Sequence, residues 1–199
     1  MWSKHYCRKK YELIGDFMLS RNKIIAAVRT KEDLVKASSS DAKIIFDLSP
    51  NILTLEENLK IAHKENKKYF IHIDLADGIG KDKSGIEYVK RLGIDGIIST
   101  RTSIIKSARE LGVFTVQRFF IVDSHSIETT VESIKASKPQ MIEIMPGSVH
   151  KVILRLKDVL DIPIIAGGLI ETEEEALFAI KSGATAVSTG QVKLWYNEM

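Results

Sequence analysis

Two glycine-bearing turns in this 199-residue chain have the composition of an anion site. The first closes an apolar run, Pro163-Ile164-Ile165-Ala166-Gly167-Gly168-Leu169-Ile170, and the second follows Val187-Ser188-Thr189 at Gly190-Gln191. Without a Cβ the backbone can approach a ligand closely and turn its N–H groups toward it, and converging N–H groups bind phosphate. The hydroxyls of Ser188 and Thr189 add donors beside Gly190. A plainer role for these glycines is to make tight turns. Two such loops together favour phosphate, without choosing among phosphate esters.

A second set of residues is ionisable within apolar surroundings. His72 and Asp74 occur in Phe70-Ile71-His72-Ile73-Asp74-Leu75, and Glu143 occurs in Met141-Ile142-Glu143-Ile144-Met145. If both segments are strands, His72 and Asp74 share a face by the two-residue period, and Glu143 lies inside. A buried carboxylate needs a partner or a raised pKa. Arg118, Arg29 and Arg101 are the available counter-charges. Asp74 and Glu143 could act as general acid and base, bind ligand hydroxyls, or form an internal salt-bridge network. No metal is expected: His5, His63, His125 and His150 lack ligand spacing, and Cys7 is a lone thiol. No cofactor is expected either, since no Gly-x-Gly-x-x-Gly follows a strand; nor is there a Gly-x-Ser-x-Gly nucleophile elbow or a lysine obviously buried for Schiff-base work.

Short β-branched runs must carry these residues. They are Ile24–Val28, Ile44–Leu48, Phe70–Leu75, Gly96–Ser99, Phe114–Val122, Met141–Met145, Ile162–Ala166 and Ala184–Thr189. Their continuous apolar character reads as buried parallel strands. Between them lie amphipathic segments. In Thr54–Asn66, Thr54 with Glu57 predicts a capping box; Ser124–Ser137 and Thr172–Ser182 repeat the design. Eight strand–helix units favour a compact (β/α)8 barrel with short loops over an open flavodoxin-like sheet. Such a barrel builds its site at the C-terminal ends of the strands, where both glycine turns fall.

The barrel is expected over residues 23–199, preceded by a basic-aromatic tail over 1–22 containing Lys4, Arg8, Lys9, Lys10, Trp2, Tyr6 and Tyr11. That tail is either a solvated or capping segment or an arm that stacks on bases and contacts phosphates. Hydrophobic residues at 44%, without an apolar run near 20 residues or a signal-type h-region, point to a cytoplasmic globular protein. The net charge of +3 permits nucleic-acid binding without requiring it.

From Ile24 to Trp195 the chain resembles the glycerol uptake operon antiterminator regulatory proteins, the GlpP family. The resemblance rests on His72-Ile73-Asp74-Leu75 with Gly78, Gly96-Ile97-Ile98-Ser99-Thr100-Arg101, and Gln117-Arg118-Phe119 with Asp123. It continues in Ile142-Glu143-Ile144-Met145-Pro146-Gly147, Ala166-Gly167-Gly168 and Lys193-Leu194-Trp195. The resemblance implies a regulator rather than an enzyme, one that senses glycerol 3-phosphate and binds the leader mRNA of glycerol-catabolism genes to prevent early termination. It also implies that Gly167, Gly168, Thr189 and Gly190 hold the phosphate, that Asp74 and Glu143 face the glycerol hydroxyls, and that Arg118 pairs with either. Gly190 departs from the small hydroxyl residue common there. No known RNA-binding module is present; the basic positions Lys106, Arg109, Lys151, Arg155 and Lys157 are available for that role. The alternative is a small phosphosugar or phospho-polyol enzyme using Asp74 and Glu143 as acid and base.

Overall fold

The structure, a computed structural model, describes residues 22–196. Eight parallel strands close on themselves in sequence order. They are β1 (Ile24–Val28), β2 (Ile44–Asp47), β3 (Lys68–His72), β4 (Gly96–Ser99), β5 (Phe114–Phe120), β6 (Met141–Met145), β7 (Ile164–Gly167) and β8 (Ala186–Thr189). Pairing of Ile24 with Val187 and of Ile25 with Ser188 completes the ring, so no strand edge is exposed. Seven helices alternate with the strands: α1 (Lys31–Ser39), α2 (Leu55–Lys64), α3 (Lys83–Leu92), α4 (Thr102–Glu110), α5 (Ser124–Ser137), α6 (His150–Val159) and α7 (Glu173–Lys181). The expected barrel is the observed architecture. The tail expected over residues 1–22 lies, Asn22 apart, outside the described residues.

The alternation of side chains along each strand divides the core in two. One face of the sheet packs outward, where Ile45, Ile71, Ile97, Ile142 and Val187 meet Leu59, Ile86, Ile104 and Leu156 of the helices. The other face fills the lumen with Ile25, Phe46, Phe70, Ile98, Phe114, Val116 and Ile165. Phe70 stands between Phe46 and Phe114 with both ring centroids 5.6 Å away, the second edge-on. Aromatic pairs at this separation plug the lower lumen as well as burying area. The lumen below the C-terminal ends of the strands is thus filled by apolar side chains.

Polar bonds fix the outer layer. Gln117, on the outward face of β5, reaches Thr102 of α4 and Ser133 of α5 at 3.3 and 3.2 Å, and accepts from Ser137 at 2.5 Å. Burial raises the pKa of Asp47, against the hydrogen bonds it accepts from the Tyr69 hydroxyl and the Ser49 N–H.

Three local expectations are corrected. The third strand stops at His72, and Ile73–Leu75 forms a 3-10 turn instead of continuing it. The Thr54–Glu57 capping box does not form: Asn51 Oδ1 accepts the Leu53 N–H at 2.9 Å, and Glu57 takes Lys31 at 2.6 Å. After β8 the described chain ends in a 3-10 turn, Val192–Tyr196, instead of an eighth helix. That turn is anchored by buried Trp195, whose indole N–H donates to the Thr189 carbonyl at 2.9 Å. The helix over Ser124–Ser137 and the capping box of Thr172 with Glu175 occur as expected.

Candidate functional site

At the mouth the lumen changes from apolar to polar. Arg118 stands two residues beyond Val116 on β5, and in register with it Glu143 stands two beyond Met141 on β6. Period-two alternation therefore points both inward. Arg118 Nε donates to Glu143 Oε2 at 2.6 Å, and Ser188 Oγ of β8 donates to Oε1 at 2.5 Å. All three residues are buried, Glu143 completely. Removing a carboxylate from water is tolerable only with such charge-assisted partners.

Gly167 makes this packing feasible. A Cβ there would lie 2.4 Å from Glu143 Oε1 and 2.7 Å from Ser188 Oγ. The glycine is thus a space requirement of the ion pair, as well as the end of β7. Gly168 follows at φ +72, and Leu169 at φ +55 keeps the chain in the left-handed region. For a non-glycine residue that conformation costs roughly 1 kcal/mol, the kind of strain retained at functional turns. The β6 loop packs onto this turn: the Gly147 N–H donates to the carbonyls of Gly167 and Gly168 at 2.6 and 3.1 Å. Among the turn and loop hydrogen bonds of the described residues, none uses the N–H of Gly168 or Gly190.

His72 also faces the lumen, in register with Ile98, and is 3% exposed. Its Nδ1 has no hydrogen-bond partner among the described residues. Burial first, then the nearby Arg118 charge, lower its pKa to about 4, with Asp74 opposing and Arg29 adding to the shift. The imidazole is consequently neutral near pH 7. Arg118 makes one side-chain hydrogen bond among the described residues, leaving most of its guanidinium donors for another acceptor.

The sequence-derived residues are not all brought together. His72, Arg118, Glu143, Gly167 and Ser188 converge on the lumen, and the exposed Arg29 is close enough to His72 to influence its charge. Asp74 does not share the face of His72, because the strand ends between them. Its carboxylate instead accepts from Ser99 Oγ at 2.8 Å and from Thr100 N and Oγ1 at 2.7 and 2.9 Å, with Arg101 Nε at 3.8 Å. Asp74 thereby ties the turn after β3 to the turn after β4. Thr189 points outward: its hydroxyl donates to the Ile170 carbonyl at 2.7 Å and accepts the Gln191 N–H at 3.1 Å. As an acid/base pair Asp74 and Glu143 are badly arranged, since every oxygen of both is already engaged. The Ser99-Thr100 clamp was not separable in sequence from an ordinary strand end.

The site has relatives. A sequence profile described as "Glycerol-3-phosphate responsive antiterminator" matches residues 24–195. The uncharacterized protein YgcP of Escherichia coli is 38% identical over 179 residues, covering 89% of this chain and 94% of that protein. Among solved structures, the glycerol uptake operon antiterminator regulatory protein of Listeria monocytogenes superposes with a TM-score of 0.84 at 34% identity, covering 89% of this chain and 96% of that one. A glycerol uptake operon antiterminator-related protein of Thermotoga maritima gives 0.79 at 33% identity, covering 87% and 98%. A deoxyribose phosphate aldolase of Aeropyrum pernix, at 14% identity, covers 98% of this chain and 97% of its own with a TM-score of 0.68, and so shares the fold alone. With a profile spanning nearly all of the described barrel and relatives above 30% identity, the chain belongs to the glycerol-3-phosphate responsive antiterminator family.

Proposed function

We propose that this chain is a cytoplasmic sensor of glycerol 3-phosphate that, once loaded, binds the leader mRNA of glycerol-catabolism genes and prevents premature termination. The observation that carries the ligand half is the Arg118–Glu143–Ser188 group set directly beneath two glycine turns. In this reading the phosphate sits against the N–H groups of Gly168 and Gly190. Arg118 supplies the cationic fork, pre-oriented by Glu143. His72, neutral and with an unpartnered Nδ1, accepts or donates a hydrogen bond to a glycerol hydroxyl. Gly167 and Ser188 serve the site by holding Glu143, and Thr189 by closing the β8 turn.

The regulatory half follows from the family. Loops at the mouth are the parts a ligand orders, so binding shifts the population toward one arrangement of the C-terminal rim. The test is a gel mobility assay with a labelled terminator-type RNA hairpin at fixed moderate salt, with and without glycerol 3-phosphate. RNA affinity should rise with the ligand. An affinity indifferent to it would remove the switch.

A further inference from the structure

In this barrel every helix runs antiparallel to the strands, so all helix C-termini meet on the face opposite the ligand mouth. Each of the seven described helices carries a basic residue in its last turn. At the mouth, the first turns of α1, α2 and α7 are acidic, while those of the other four described helices carry no acidic residue. Helix dipoles alone favour this polarity, by a few tenths of a kcal/mol per charge. Two further features exceed what the dipoles ask for.

First, the bases line concavities. A groove of about 590 Å³ between α2 and α3 is bordered by Lys60, Lys64 and Arg91, with Glu56 as its acidic member. Another of about 360 Å³ between α4 and α5 is bordered by Lys106, Arg109 and Lys138 against Glu110. Among the described residues Lys64, Lys106 and Lys138 form no ion pair. Second, Lys138 caps α5 at φ +51 and ψ +55, in the left-handed region where glycine or asparagine is the low-energy choice. A lysine kept there accepts backbone strain while placing its charge at the mouth of the second groove.

We propose that the RNA docks on this face, its phosphates following the arc from the α2–α3 groove to the α4–α5 groove, while the ligand enters the opposite end of the barrel. This rests on the RNA-binding reading above. Sensing and output would then sit at the two ends of one closed sheet.

The test uses the full chain, the same labelled hairpin and saturating glycerol 3-phosphate, across a salt titration. The paired substitution Lys106→Gln with Lys138→Gly removes two charges, and the glycine relieves the cap, so folding is preserved. Its hairpin affinity should fall about tenfold and the log–log salt slope should flatten by about two. Lys81→Gln with Lys83→Gln, on the mouth rim at the start of α3, should stay within about twofold of wild type. The ligand-induced rise in melting temperature should be unchanged in all of them. Groove variants that bind like the wild type, or mouth-rim variants that lose as much, would overturn this placement and leave RNA binding itself standing. A wild-type protein that binds no hairpin at any salt sinks both.

Discussion

Glu143 is fully buried with Arg118 on one oxygen and Ser188 on the other. Removing one member of such a pair strands a charge in the interior, a loss of about 3–5 kcal/mol. Arg118→Met should therefore lower unfolding free energy by that order in urea titration, whereas Ser188→Ala should cost about 1–2 kcal/mol. His72 has the opposite relation to charge. Its folded-state pKa, about 4, lies below the ordinary value of 6.5, so the unfolded chain binds the extra proton first as pH falls. Its contribution to stability is whole above about pH 6.5 and is lost progressively down to about pH 4, on the order of 3 kcal/mol. Urea midpoints measured across that window should drop for the wild type, and His72→Gln should flatten the drop. In the sequence, Glu143 between isoleucines could be read as buried, because nothing but a lumen partner explains it. The pairing of His72 with Asp74 could not be read correctly. Parity holds only while the strand lasts, and the 3-10 turn at Ile73–Leu75 is set by Ser99 and Thr100, about 25 residues away.

Among the elements, two threonines with the same local sequence logic behave differently. Thr172 caps α7 reciprocally with Glu175, while Thr54 makes no side-chain cap because Asn51 and Lys31 have taken over its neighbours. Thr172→Ala should cost about 1 kcal/mol and Thr54→Ala nearly nothing, a contrast visible in thermal melts of the two variants. The apolar runs located all eight strands, since a buried parallel strand needs no long-range information to be recognised. Strand ends and caps were less legible, because tertiary partners decide them. The last element illustrates this: Lys193-Leu194-Trp195 makes a tight turn in place of a helix because Trp195 is buried beneath β8 and holds Thr189.

For the molecule as a whole, the sheet is closed, its lower lumen is packed with aromatic rings, and the glycine turns after β7 and β8 lie at the C-terminal end. The closed barrel and the position of both glycine turns at its C-terminal end were legible in sequence, because each turn directly follows an apolar run. The basic opposite face was not, because it depends on which helix ends the topology gathers. Isothermal titration of the protein with glycerol 3-phosphate, repeated for a Gly168→Ala and Gly190→Ala double variant, bears most directly on the sensor. Saturable one-site binding is expected for the wild type, with a stability gain of about 2.7 kcal/mol at one hundred times the dissociation constant. The variant should bind at least tenfold more weakly, since position 168 has φ +72, where an added Cβ strains the turn that presents its N–H. Absence of heat and of thermal stabilisation with the wild type, or equal affinity in the variant, would contradict a phosphate held on these two turns.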